Sequence, residues 1–154
     1  MMNGREEQDN RLVMTAPKIE GYTRDNRFYA LTAARAIQDI QRTGIIELED
    51  IRAVLPFGDH GKAAVNAQSG VFDNINGRLR FSRPFTIQTQ EGMVARLLSA
   101  DVNIETSQLR TTEKVEISSK TEFLTANSMR VLDNGRVIMF DDGVRLVIDR
   151  SMDQ

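Results

Sequence analysis

Three stretches of this chain repeat one another at a spacing of about 30 residues, and that spacing restricts the fold more than any other feature. They read SGVFDNINGRLRFSRPFTIQT, ADVNIETSQLRTTEKVEIS and NSMRVLDNGRVIMFDDGVRLVID. Apolar positions keep step across them at intervals of 27 to 31 residues: Val71 with Val102 and Met129, Leu79 with Leu109 and Val137, and Phe85 with Val115 and Val144. Such a repeat marks supersecondary units that cannot bury an apolar face singly and stack to share one.

Inside each unit the apolar period is two. Phe85-Thr86-Ile87-Gln88-Thr89, Val102-Asn103-Ile104-Glu105 and Val115-Glu116-Ile117-Ser118 each put apolar residues on one face and polar residues on the other, which describes half-buried antiparallel strands. Turn signals separate them at Asp25-Asn26, Gly58 to Gly61, Asn76-Gly77, Glu91-Gly92, Asn134-Gly135 and Asp142-Gly143. The two Asn-Gly pairs predict hairpins, because both residues tolerate the positive φ of a type I′ turn. The 132 residues from Lys18 to Asp149 hold about 15 strands at roughly nine residues per strand and turn. The expected fold is therefore all-β and antiparallel. With no helices to cover the shared apolar face, the sheet must curl over onto itself as a sandwich or open jelly roll.

One segment, RFYALTAARAIQDIQR, reads two ways. Phe28, Leu31, Ala34, Ile37 and Ile40 recur every three positions among good helix formers, which predicts a helix. Ile37, Ile46 and Val54 also match the internal spacing of Val71, Leu79 and Phe85, which predicts a degenerate first copy of the repeat.

A chain of 154 residues is long enough for one domain with a real core. Residues 1–16 are polar and without period up to Pro17, so they read as a flexible lead-in, with the ordered domain spanning 17–149 and a short tail over 150–154. A net charge of −2 lacks the electrostatic footprint of a general nucleic-acid binder. With no cysteine there is neither a disulfide framework nor a thiolate metal site.

Reactive groups form no recognisable set. The single histidine, His60, sits in Gly58-Asp59-His60-Gly61, a turn with no nucleophile and orienting acid beside it. GDHGKAA lacks the leading glycine of a phosphate loop and has Ala63 where Ser or Thr would hold magnesium. Asp141 and Asp142 precede Gly143, a pattern that suits a turn. Arg78, Arg80 and Arg83 cluster around Leu79 and Phe81; guanidinium forks suit phosphate, and the same cluster suits a solvated outer face. Neither a catalytic residue, nor a metal, nor a cofactor is expected. The last strand, Val144-Arg145-Leu146-Val147-Ile148, carries neither proline nor lysine to blunt it, so it can pair with a partner's strand and extend the apolar interior from one molecule to the next.

PKIEGYTRDNRFYALTAARAIQD, then IIELEDIRAVL, SGVFD, LRFSRPFTIQTQEG and the closing VIMFDDGVRLVI together resemble the LptC family of periplasmic lipopolysaccharide export proteins in its alphaproteobacterial form, over residues 17–149. The related LptA bridge shares the repeat less closely. The resemblance implies a twisted, open antiparallel β-jelly roll made of repeated strand-turn units, with Phe28 to Ala33 as a strand. It implies a non-enzymatic carrier that receives lipopolysaccharide from the inner-membrane LptB/LptF/LptG transporter and hands it to an LptA-like bridge for outer-membrane assembly. It implies a periplasmic location with a tether to the inner membrane by an N-terminal helix that this chain does not contain. By position, Lys18, Ile19, Glu20, Gly21 and Tyr22 would form the transporter-facing edge, and Val144, Arg145, Leu146, Val147 and Ile148 the bridge-facing edge. Acyl chains would lie among inward residues, nominated by alternation as Leu48, Val54, Val71, Leu79, Phe81, Phe85, Ile87, Val102, Ile104, Val115, Ile117, Met129, Val131, Met139 and Leu146. The competing expectations are a soluble LptA-like bridge and a structural β module with a dry core.

Overall fold

The computed structural model describes residues 10–149. They form an all-β fold, a single antiparallel sheet of 16 strands curled into a half-barrel, which is an open β-jelly roll. In chain order the strands are β1 (Arg11–Thr15), β2 (Lys18–Tyr22), β3 (Phe28–Thr32), β4 (Arg35–Asp39), β5 (Arg42–Phe57), β6 (Gly61–Asp73), β7 (Arg78–Phe81) and β8 (Phe85–Thr89). They continue with β9 (Val94–Leu97), β10 (Ala100–Asn103), β11 (Gln108–Thr111), β12 (Val115–Ser118), β13 (Glu122–Ala126), β14 (Ser128–Leu132), β15 (Val137–Asp141) and β16 (Arg145–Ile148).

The long hairpin of β5 and β6 organises everything else. Ile45 to Glu49 pair with Ser69 to Asp73, and Ile51 to Phe57 pair with Gly61 to Ala67, so the two strands run together across a corner. On one side of the corner they carry β4 and β1 in one direction and β7, β10, β11, β14 and β15 in the other; this is the first wall. On the other side they carry β3 and β2, and β8, β9, β12, β13 and β16; this is the second wall. After β6 the chain alternates walls in pairs of strands; a full repeat is four strands, two in each wall, and the third has β14, β15 and β16 among the described residues. The aromatic rings of Phe81 in the first wall and Phe85 in the second stack with centroids 4.3 Å apart. Gly70 is required there: a Cβ on it would come within 2.9 Å of Ile51 and 3.1 Å of the Phe81 ring.

The turn at the corner changes which side chains face inward. Ile46 and Leu48 are buried before it, and Ile51 and Ala53 after it, so the parity flips across Asp50, whose φ is +55°. Strand β6 flips likewise, from Val65 to Gly70 and Phe72. Strands that switch between facing sheets make their corner with such irregularities. The flip corrects two inward nominations. Val54 and Val71 follow the unbroken alternation in sequence, yet they are 43% and 37% exposed and point outward. Met139 is a third correction, 38% exposed on the outer face of β15 opposite Arg130.

The repeat itself is real but its register is sharper than the sequence match. Cross-strand pairing makes Phe72, Val102 and Val131 equivalent, and likewise Leu79, Leu109 and Ile138, so Val71, Met129 and Val137 are each displaced from the equivalent positions. RFYALTAARAIQDIQR forms β3 and β4, not a helix, because both strands are held between β5 and an outer strand. Tertiary pairing overrides the local preference. Arg11–Thr15, expected to belong to the flexible lead-in, is strand β1, paired along its whole length with β4. Residues 1–9 and the tail over 150–154 lie outside the described residues. The hairpins at Asn76-Gly77 and Asn134-Gly135 form, but through four-residue links instead of two-residue turns. At the second, Asp133, Asn134 and Gly135 all have positive φ, +52°, +56° and +87°.

Candidate functional site

The second wall carries an apolar row that runs from one free edge to the other. Ile19, Leu31, Ala53, Val65, Ile87, Ala95, Ile117, Leu124 and Leu146 are each the register partner of the next, one from every strand. At about 4.8 Å between strands the row is about 38 Å long. In the first wall the matching row is apolar from Ile46 through Phe72, Leu79, Val102, Leu109 and Val131 to Ile138. Toward the N-terminal edge it meets Gln38, whose amide donates to the Thr43 carbonyl. The buried polar residues among those described are Thr23 and Thr111, so the interior is close to a hydrocarbon solvent.

Both ends of this interior are open. β1 and β2 end the two walls on one side, β15 and β16 on the other, and each of the four pairs with a single neighbour. The expected partner edges fall on β2 for Lys18, Ile19, Glu20, Gly21 and Tyr22, and on β16 for Arg145, Leu146, Val147 and Ile148, with Val144 just before it. Sequence reasoning missed β1 and β15 as edges. Leu12, Val13 and Met14 just before Pro17 were the available signal for β1. Leu146 faces inward opposite Leu124 and yet is 50% exposed, because no strand lies beyond β16.

A cavity of ≈ 70 Å³ lies between the walls. Phe81, Phe85, Ile87, Val102, Ile104 and Val131 come together around it, joined by Leu55, Phe57, Val65 and Leu109, which the alternation did not nominate. For Leu55, Phe57 and Val65 the signal was the doubled polar residues Glu49-Asp50 and Gln68-Ser69, where the period of two breaks; for Leu109 it was the repeat match to Leu79. Leu48, Leu79, Met129 and Val115 are buried elsewhere in the same core, against which Ile117 packs half-buried. Ligand pockets commonly measure about 300–1,000 Å³. This cavity falls well below that range, so an acyl chain enters only if the walls part.

Turns from the two walls meet over that cavity and clasp it. The Arg24 amide donates to the Glu105 carbonyl at 3.0 Å, with the two side chains 3.8 Å apart. The Asn134 side-chain amide donates to Asp25, and Arg136 donates to Asp59. The Gly58 amide donates to the Asn134 carbonyl at 2.6 Å. Arg27 steadies the second-wall side by donating to the carbonyls of Gly58 and Gly61. Tyr29 lies partly buried beside these turns; burial raises its phenol pKa, and the Glu105 carboxylate adds to the rise.

His60 lies in the exposed turn between β5 and β6, on an outer groove with Arg27, Phe28 and Lys62. Asp141 is 3.8 Å from Arg130, and Asp142 lends its carbonyl to the Asn127 amide. Among the described residues no group of His, Asp and Glu has the arrangement of a metal site. No protein-family model matches the sequence, and no curated protein is similar to it. The fold and this interior define the protein as an open β-jelly roll with a packed apolar interior that reaches both free edges.

Proposed function

We propose that this chain is a non-enzymatic carrier of lipopolysaccharide, working as the LptC family does. It takes the glycolipid from an inner-membrane LptB/LptF/LptG transporter at the β1–β2 end and passes it to an LptA-like bridge at the β15–β16 end. The protein then works in the periplasm, held at the inner membrane by a helix outside this chain. The observation that carries the reading is the uninterrupted apolar row of the second wall, which reaches both free edges. A closed structural core has no need to stay apolar out to an exposed Leu146. Open edges at both ends supply the means of joining two further jelly rolls by strand pairing.

The small cavity favours a second reading, a structural module whose core stays dry. Binding separates the two. The chain is incubated with a fluorescent, acylated lipopolysaccharide and with its deacylated counterpart, and each is followed by anisotropy. A carrier binds the first and not the second; a dry module binds neither.

A further inference from the structure

The outer face of the first wall carries a feature that the apolar interior does not explain. Along one outward row, Arg80, Asp101, Arg110 and Arg130 are successive register partners on β7, β10, β11 and β14. Arg110 and Arg130 thus stand directly opposite each other, with Cβ atoms about 5 Å apart. Like charges in that relation destabilise a sheet. The nearby carboxylates do little to relieve it. Asp101 is engaged by Arg80 at 2.8 Å, and Asp141 reaches Arg130 only at 3.8 Å. Asp73, beside Arg78, accepts from the Asn76 side chain and from the Ile75 and Asn76 amides. Among the described residues, Arg78 and Arg110 form no ion pair.

These side chains line a surface groove of ≈ 370 Å³, where Arg78, Arg110 and Arg130 stand with Asp101, Asn103 and Gln108. A second groove of ≈ 210 Å³ continues past Arg110, where Ser82, Ser99 and Thr112 stand with Arg80 and Asp101. Three arginines therefore share the first groove with one aspartate, itself engaged by Arg80, in a chain whose net charge is −2. Guanidinium groups converging on one groove can take a phosphate through paired, charge-assisted hydrogen bonds. We infer that this groove binds a phosphate group, either free phosphate or the headgroup of an anionic phospholipid, held by Arg78, Arg110 and Arg130. The site is independent of whether the interior carries lipid.

The test uses the whole chain and two probes. Inorganic phosphate is titrated while the arginine Nε–Hε resonances are followed by NMR, and vesicles of phosphatidylglycerol are compared with vesicles of phosphatidylcholine by co-sedimentation. Binding should move the Arg78, Arg110 and Arg130 resonances or favour phosphatidylglycerol, and Arg110→Gln and Arg130→Gln should each weaken it by about tenfold. Response to phosphate alone assigns the site to a soluble anion; preference for phosphatidylglycerol assigns it to a headgroup. The inference is overturned if neither probe binds, or if the two variants bind as the wild type does. Stability gives a second reading. Without phosphate, Arg110→Gln should melt no lower than the wild type, because it removes a like-charge pair; where inorganic phosphate binds, it should raise the melting temperature of the wild type more than that of the variant. A lower melting temperature for Arg110→Gln would mean that the arginine is structural, and the inference fails.

Discussion

Gly135→Ala should open the clasp over the interior while leaving the walls folded. Gly135 has φ +87°, and a Cβ placed on it would come within 2.7 Å of the Gly58 backbone nitrogen on the opposite wall. Gly92→Ala is the matched control, since Gly92 has φ +93° and nothing within 4 Å of its Cβ position. Both substitutions carry the left-handed cost of about 1–2 kcal/mol. Gly135→Ala adds overpacking against backbone, about 1–3 kcal/mol, and loss of the hydrogen bond from Gly58 to Asn134, about 0.5–1.5 kcal/mol. The excess of roughly 1.5–4.5 kcal/mol falls on the closed clasp, so opening the clasp relieves it, and it raises the open population by between about tenfold and about two-thousandfold. Amide hydrogen exchange is the assay. Protection at Gly58 should fall by that factor in Gly135→Ala and stay unchanged in Gly92→Ala, with β6 and β8 amides protected in both. Uptake of an apolar fluorescent dye should rise only in Gly135→Ala. Equal protection at Gly58 in the two variants would refute the clasp.

Phe85→Ala should lower stability by about 3–5 kcal/mol in chemical denaturation, since it removes a buried ring that stacks on Phe81. The parity flip at the corner predicts that Val54→Asp leaves the melting temperature nearly unchanged, whereas Ala53→Asp, one residue away and buried, abolishes folding as judged by circular dichroism. The Asn76 side chain, then its backbone amide, hold the Asp73 carboxyl below its ordinary value. A lowered folded-state pKa contributes stability above the unfolded value of about 3.9, and that contribution disappears as pH falls through the folded value. Asp73→Ala should therefore melt below the wild type at pH 7, and the difference should shrink as the pH falls below the ordinary carboxylate range and Asp73 is protonated in the folded state too.

Much of this architecture was legible in the sequence because period-two strands and glycine turns are local signals. The all-β class, the repeat and the free last strand needed nothing beyond them. The orientation of Val54 and Val71 was not legible from alternation alone, since a flip at Asp50 reverses the side chains of the rest of β5 and a second flip, before Gly70, reverses those at the end of β6. Residues 28–39 misled in another way: Leu31, Ala34 and Ile37 carry helical spacing, but β5 offers both halves of the segment a pairing edge, and that partner lies up to 24 residues downstream. The clasp was invisible for the same reason. Asp25 and Asn134 are 109 residues apart, and only the curl of the sheet brings them together.

Under the proposed function, the inward row of the second wall is a path for acyl chains. A photocrosslinking amino acid placed in turn at Ile19, Ile87 and Leu146 samples that row at its two ends and its middle, and at Val54 it samples the outer face of the same wall. In actively exporting cells, lipopolysaccharide should be captured at all three inward positions and not at Val54. Capture at none of the three, or equal capture at Val54, would contradict the claim.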